Sequence, residues 1–225
     1  WVRLQPGVIR DELNLLLKPY GLFFGPNTST ANRCMLGGMV GNNSCGTTSI
    51  VYGSTRDHVL ALDVVLSDGS EARFASLTKA EFEEKRKGDN LEAHIYRQLY
   101  EALSEPGTQA EIRAEYPKPG IPRRNTGYAL DLLLDTNVFT QDTPDINLCK
   151  LLSGSEGTLA FTTEITLHVD PLPAPHDVVL CAHFSSMPEC LEAVVATMKH
   201  KPTACELMDR LILDCTKANL EQSKN

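Results

Sequence analysis

Between Asp11 and Pro19 the leucines at 13, 16 and 17 recur at helical spacing and Gly21 follows as a natural stop, so the pattern predicts a short helix. Turn-rich sequence then runs from Gly21 to Thr30, and Ser29 or Thr30 is placed to cap a helical turn over Ala31 to Leu36. Val59 to Leu66 reads as a buried strand, Ser67-Asp68-Gly69 as a hairpin turn, and Glu71 to Ala75 as the return strand. Thr78 to Lys87 and Leu91 to Leu103 predict surface helices. Leu91, Ile95, Leu99 and Leu103 share one face of the second, Pro106 starts a third that runs to about Tyr116, and Glu81 to Lys87 reads as an exposed face with i, i+4 ion pairs.

Proline punctuates the second half. Tyr116 to Pro122 is a connector that neither a helix nor a central strand tolerates. Asp131 to Leu134 and Leu148 to Leu152 are short apolar runs, the latter leading into Gly154-Ser155-Glu156-Gly157-Thr158, and Phe161 to Val169 alternates like a strand. Pro171, Pro173 and Pro175 break that pattern, which places a domain boundary between residues 1–173 and 174–225. Beyond it the order is strand (Val178 to Phe184), helix (Pro188 to His200), strand (Ala204 to Met208) and helix (Asp209 to Leu220), the beginning of an α+β arrangement. The opening strand Trp1-Val2-Arg3-Leu4 has no first element to pair with, and the chain stops on the polar run Glu221 to Asn225, so it reads as a segment of something longer.

Composition adds mainly exclusions. With 42% hydrophobic and 22% charged residues the chain is in the ordinary globular range. Its net charge of −8, without a basic cluster, argues against nucleic acid, whose phosphate backbone needs grouped Lys and Arg. Apolar runs such as Val178 to Ala182 fall far short of the about 20 residues of a membrane span, so no transmembrane segment is predicted. The 7 cysteines are never spaced CxxC, which disfavours a disulfide framework or a zinc or iron-sulfur site within the chain and points to a reducing, cytoplasmic compartment. His58, His94, His168, His176, His183 and His200 share no ligand spacing, so each reads as a surface or packed residue and none is assigned a metal.

The candidate chemistry lies between Pro26 and Gly53. Glycines 37, 38, 41, 46 and 53 crowd this stretch among Ser, Thr and Asn, and main-chain amides freed of a Cβ can approach a pyrophosphate while the polar side chains add donors. The same glycines also fit a plain turn between elements. Neither GxxxxGK followed by Ser or Thr, nor GxGxxG after a strand, is present, so this is no ordinary kinase or Rossmann loop.

The ordered runs Pro26-Asn27-Thr28-Ser29-Thr30-Ala31, Gly37-Gly38-Met39-Val40-Gly41-Asn42-Asn43-Ser44-Cys45-Gly46, Tyr52-Gly53-Ser54-Thr55-Arg56-Asp57-His58, Asn125-Thr126-Gly127-Tyr128 and Gly154-Ser155-Glu156-Gly157-Thr158 together resemble the FAD-linked oxidase family. Its FAD domain is of the vanillyl-alcohol oxidase, or PCMH, type, and the branch resembled contains D-lactate and D-2-hydroxyglutarate dehydrogenases. The resemblance implies an α+β fold: the second subdomain of a PCMH-type FAD-binding domain, followed by the start of an α+β substrate (cap) domain, of which Ala204 to Asp209 resembles an early strand. Pro26, Ser29 and Thr30 would lie at the flavin or ribityl edge. Gly37, Gly38, Gly41, Asn42, Ser44, Cys45 and Gly46 would line the isoalloxazine and diphosphate, Tyr52 and Gly53 would close the loop, and Glu156, Gly157 and Thr163 would approach the adenosine half. No histidine stands in the glycine-rich loop, so the FAD would be held non-covalently.

Arg123 and Arg124 are candidates for gripping a carboxylate substrate through bidentate guanidinium contacts, against the plainer reading of a solvated basic pair. The catalytic base is expected outside the chain. So are the family's first pyrophosphate loop, its divalent-metal ligands and, in the fused proteins this loop most resembles, an iron-sulfur region. The activity implied is oxidation of a D-2-hydroxyacid, of the lactate or 2-hydroxyglutarate type, by hydride transfer to flavin N5. Electrons would pass to an iron-sulfur module, a quinone or an electron-transfer flavoprotein, and the expected location is cytoplasmic or peripheral to the membrane. Two alternatives stay open: an alcohol or aldonolactone oxidase or a reductase with the same FAD fold, and a non-catalytic nucleotide-binding module.

Overall fold

The computed structural model describes residues 1–118, 120–121, 123–125, 127–217 and 219. The chain divides into two compact units, Trp1–Leu172 and Pro173–Asn225.

The first unit is built on an antiparallel sheet. In chain order it contains β1 (Val2–Leu4), α1 (Arg10–Leu17), β2 (Leu22–Phe23), α2 (Leu36–Asn42), α3 (Ser49–Tyr52), α4 (Thr55–His58), β3 (Val59–Val65) and β4 (Glu71–Leu77). These are followed by α5 (Lys79–Lys85), α6 (Leu91–Ser104), α7 (Pro106–Glu115), α8 (Leu130–Leu134), β5 (Ile146–Asn147), α9 (Cys149–Leu152), β6 (Phe161–Leu167) and β7 (Asp170–Pro171). The main sheet runs β1-β6-β3-β4-β5, and β2 pairs separately with β7. The expected β3–β4 hairpin forms, with Gly69 at φ 84° in its turn. The opening strand, read from sequence as partnerless, pairs with β6, Leu4 facing Ile165 across the ladder. That partner lies in the last third of the unit, and a local reading of the chain cannot find it.

One face of the sheet is dry. Leu62 and Ile165 are fully buried at its centre, and Phe74 sends its ring toward Tyr96 of α6, 6.1 Å away, which in turn meets Phe82 of α5 edge-on at 5.4 Å. Phe82 fixes α5 to the core, and Thr78 caps that helix through a capping box with Glu81. In the Glu81 to Lys87 run the local charged pairs are i, i+3 rather than i, i+4, Arg86 with Glu83 and Lys87 with Glu84, while Lys85 reaches Glu92 of α6. On α6 the buried line passes through Ala93, Tyr96 and Leu103, with Leu91, Ile95 and Leu99 packed at its edge. The opposite sheet face is polar and carries the pairs Arg3–Glu164 and Arg73–Asp63. Cys149 is buried beneath β4, its thiol donating to Phe74 O; burial pushes that thiol up to about 12 and makes it inert.

The helix expected over Ala31 to Leu36 is a series of turns closed by the Thr28 and Thr30 carbonyls, and the helix begins instead at Leu36. Three glycines argue against a helix there on propensity, at about 1 kcal/mol each relative to Ala. Burial of Leu36, Met39 and Val40 on one side overrides them.

The second unit holds α10 (Met187–Met198), capped by Ser186, and α11 (Arg210–Lys217). The strands expected over 178–184 and 204–208 do not form among the described residues, and Val178, Val179 and Leu180 are almost fully exposed. A strand exists through its ladder, and these runs meet no partner within their unit. The expected end of the last helix at Leu220, the polar run Glu221 to Asn225, Pro119 and Pro122 of the connector, and Thr126 of the Asn125 to Tyr128 run lie outside the described residues.

Leu62→Ala should lower unfolding free energy by about 2–5 kcal/mol, because it opens a cavity at the centre of the sheet. Urea denaturation followed by far-UV circular dichroism measures this, with exposed Leu60→Ala as the near-neutral control.

Candidate cofactor site

Three segments distant in sequence converge behind the glycine-rich stretch. Asn43 ends α2 in the left-handed region at φ 53°, and its buried Oδ1 accepts the Arg56 N–H at 2.8 Å. Ser44 O accepts both the N–H and the hydroxyl of Thr55. The Arg56 side chain is itself buried, and it donates from Nε to Ser153 O at 3.1 Å and from Nη2 to Ser153 O and Gly127 O at 2.5 and 2.6 Å. Burial lowers the Arg56 guanidinium from its ordinary value, and burial likewise lowers the Lys150 ammonium, which donates to the Arg56 carbonyl at 3.0 Å. Gly154 is the residue that makes this convergence possible. It adopts φ +91°, and a Cβ there would lie 2.4 Å from Arg56 Nη2 and 2.8 Å from Gly127 O.

The same clamp closes α2 onto the Gly154–Thr158 turn. Gly154 N–H donates to Val40 O and Glu156 N–H to Gly41 O, while Asn42 Nδ2 reaches Glu156 Oε1 at 2.9 Å and Ser44 Oγ reaches Asn42 Oδ1 at 2.9 Å. Of the candidate cofactor residues, Gly41, Asn42, Ser44, Glu156 and Gly157 therefore stand together.

A second layer holds Pro26, Ser29 and Thr30. From α1, Arg10 donates to the carbonyls of Phe24 and Pro26, and Asn14 accepts the Phe24 N–H at 2.7 Å. The loop then packs against Gly46 so closely that a Cβ there would sit 1.3 Å from Asn27 O. Tyr52 lies against Gly25, and Thr48 Oγ1 donates to Gly25 O at 3.2 Å.

The front of the assembly presents donors that the protein itself does not pair. The N–H groups of Asn27 to Thr30 and of Cys45 to Thr48 donate to no acceptor among the described residues, and Asn43 Nδ2 is buried without a partner. Gly38 and Asn42 share the exposed side of α2, and a Cβ on Gly38 would meet nothing within 4 Å. Gly37 faces the other way, packed on Pro6, where a Cβ would come within 2.6 Å of the ring. Exposed Met35, Ile50 and Val51 add apolar surface beside these loops in sequence. Consecutive free amides suit phosphate oxygens, and a Cβ-free, exposed stripe suits a flat ring, so the residues present fit a dinucleotide.

The remaining candidates fall around and beyond this cradle. Asn125 Nδ2 donates to Cys45 Sγ at 3.1 Å and Arg123 Nη1 lies 3.8 Å from the same sulfur, which brings the arginine loop to the glycine-rich loop. Arg124 is engaged in an ion pair with Asp131. A cavity of about 100 Å³ is lined by Gly53, Ser54, Asp57, Arg123, Arg124 and Asp131, among others. Thr163 stands in β6, its hydroxyl donating to Asp63 O at 3.1 Å on the sheet. Sequence reasoning passed over Arg56 and Asn43, whose roles depend on carbonyls and amides about which side-chain spacing is silent.

Residues 1–75 match the family model described as FAD binding domain. A D-2-hydroxyglutarate dehydrogenase of Pseudomonas putida is 37% identical over 214 residues, covering 95% of this chain and 20% of that protein. One from Pantoea ananatis is 40% identical over 179 residues, covering 80% of this chain and 17% of that protein. The mitochondrial D-lactate dehydrogenase [cytochrome] of Arabidopsis thaliana is 26% identical over 230 residues, covering 100% of this chain and 28% of that protein. The chain thus spans about a fifth of the length of the D-2-hydroxyglutarate dehydrogenases it matches. Among the described residues no helix is long and apolar enough to cross a membrane.

Arg56→Lys should cost about 2–4 kcal/mol, because an ammonium cannot span both carbonyls and leaves a buried acceptor unmet. Thermal unfolding of the variant measures the loss; a melting temperature equal to wild type would contradict the clamp.

Proposed function

We propose, from the premise that this chain carries an FAD-binding domain of the FAD-linked oxidase family, that it is the cofactor-holding part of a D-2-hydroxyacid dehydrogenase, with D-2-hydroxyglutarate as the first substrate to test. The carrying observation is the pair of facing loops, 27–30 and 45–48, whose amides find no acceptor within the described protein. When bound, FAD supplies a hydride acceptor at its N5 atom.

The chain's own residues bind and orient. Amides of Asn27 to Thr30 and Cys45 to Thr48, with Ser29, Thr30 and Ser44 hydroxyls beside them, would meet the ribityl and diphosphate oxygens. The exposed stripe of Gly38 and Asn42 would lie along the ring, Gly53 at the closing turn, and Glu156 and Gly157 toward the adenosine half. Arg123, beside Cys45, is the arginine better placed to reach an anionic substrate, because Arg124 is already paired with Asp131. The proton acceptor for the substrate hydroxyl would come from elsewhere in the full-length protein, as would the onward electron acceptor: an iron-sulfur module, a quinone or an electron-transfer flavoprotein.

Support for the substrate class comes from the relatives named D-2-hydroxyglutarate dehydrogenase, which match nearly the whole chain at 33–37% identity. Anaerobic mixing of the full-length protein with D-2-hydroxyglutarate should bleach the flavin absorbance faster than D-lactate or any L-enantiomer does. Bleaching by simple alcohols or aldonolactones alone would favour the oxidase reading, and a protein purified without flavin would favour a non-catalytic module.

Gly38→Ala separates ligand contact from fold. The added methyl enters open space on a helix and should leave stability equal or raise it by about 0.5–1 kcal/mol, while flavin content falls. Absorbance of the purified variant near the flavin maximum reads the outcome; full flavin content would mean that the ring lies elsewhere.

A further inference from the structure

The cavity of about 100 Å³ beside the arginine loop is a place that the cradle does not use: no described residue of the 26–46 stretch lines it. Its walls come from α3 and α4 with the turn between them, through Ser49, Gly53 and Asp57, and from the segment around α8, through Arg123, Arg124 and Asp131. The space is well below the about 300 Å³ at which pockets for drug-sized ligands begin, so it cannot hold a dinucleotide. It is several times the about 10–15 Å³ that one water needs, and so has room for a group of a few heavy atoms.

The wall carries the guanidinium groups of Arg56, Arg123 and Arg124 against the carboxylates of Asp57 and Asp131. Most of these charges are already committed. Asp57 Oδ2 accepts the Ser54 N–H and hydroxyl at 2.8 and 3.0 Å, Arg56 serves the carbonyls of Ser153 and Gly127, and Arg124 pairs with Asp131. That last pair uses one atom of each side chain, and Arg124 Nε and Asp131 Oδ1 are buried without a partner among the described residues. Arg123 is different: it is exposed, its contact is the Cys45 sulfur at 3.8 Å, and it makes no ion pair among the described residues. A polar cavity with one uncommitted guanidinium at its wall suits a small anion with two acceptor oxygens.

We infer that this cavity is a subsite for the far carboxylate of a dicarboxylic 2-hydroxyacid, gripped by Arg123; the inference rests on the flavin reading above and narrows it. Cys45 joins the two places, since it belongs to the glycine-rich loop and is touched by both Arg123 and Asn125. The ring would lie along Gly38 and Asn42, neither of which lines the cavity. A group seated in the cavity is therefore the end of the molecule that does not react. A lactate-type acid has only a methyl group at that end and leaves the Arg123 charge unmet. Sites built around a polar partner reject the analogue that lacks it far more strongly than apolar pockets reject a missing methylene.

The test uses the full-length protein and two probes that cannot be oxidised: glutarate, with a carboxylate at each end, and butyrate, the chain of four carbons with one. Titration followed by perturbation of the flavin absorbance should show glutarate binding about tenfold to a hundredfold tighter than butyrate, the worth of a charge-assisted hydrogen bond. In a second readout that needs no flavin, glutarate should slow phenylglyoxal modification of Arg123, mapped by mass spectrometry, and butyrate should not. Arg123→Gln should reduce glutarate to the affinity of butyrate. Ser49→Leu should do the same with Arg123 intact, because it fills the cavity from a side chain that makes no hydrogen bond among the described residues. A wild-type protein that binds the two probes equally, with Arg123 modified at the same rate in both, would mean that the cavity holds water alone and overturns the subsite. A glutarate preference that survives in Arg123→Gln overturns it as well. Bleaching by D-2-hydroxyglutarate without any glutarate preference would leave the flavin reading standing and the subsite lost. Protection of Arg123 by glutarate in a protein without flavin would do the reverse.

Discussion

The site depends on a buried guanidinium. Arg56 is taken out of water at a cost that the protein offsets by surrounding it with main-chain carbonyls from two distant segments, and by anchoring its own backbone between Asn43 and Lys150. One residue, through its own N–H and its guanidinium, thereby ties together the end of α2, the turn after α9 and the loop before α8. The planar fork matters because it serves carbonyls that are not collinear, which a point charge cannot do. Candidate residues on α2 and on the loops around it are in this way tied to one another.

Behind this clamp the N–H groups of Thr55, Arg56, Gly154 and Glu156 are paired, and in front of it those of 27–30 and 45–48, on half-buried or exposed residues, are not. Main-chain donors left open side by side are the kind of surface that suits a ligand with many acceptors. The close contact between Gly46 and Asn27 O sets the spacing of the two loops. Gly37 and Gly38, adjacent in sequence, do opposite things: one lets Pro6 pack against the helix, the other leaves the helix bare on its open side.

Elements whose signal is local were legible in the sequence. The β3–β4 hairpin was carried by alternation and by Asp68-Gly69, and α5, α6 and α7 by capping residues and apolar spacing. Pairings that close over long separations were not: β1 with β6, β2 with β7, and β4 with β5 join short strands that no periodicity announces. Helix α2 was missed because its glycines oppose helix formation while tertiary burial of Leu36, Met39 and Val40 imposes it. The strand signals over 178–184 and 204–208 were read from apolar content, which describes a side chain's preference and says nothing of whether a ladder partner stands beside it. At the site, the glycine-rich run was legible as a cradle or a turn, and the ordered motifs gave it a family. His58 and Asp170 stand 112 residues apart, and only the fold makes them neighbours.

An acidic chain that is proposed to take up a doubly phosphorylated ligand would face an electrostatic problem, and the arrangement here would meet it with dipoles. The net charge is −8, and neither buried Arg56 nor half-buried Lys150 is spent on the open face: each donates to main-chain carbonyls. What the face offers is peptide N–H groups, which carry partial positive charge, need no counterion when the ligand is absent and are already oriented by the loops that bear them. On that reading the run is rich in glycine, serine and asparagine and has no lysine of the GxxxxGK kind. Main-chain recognition asks for closeness of approach, and closeness is set by the residues that omit a side chain and by the clamp that keeps them in place.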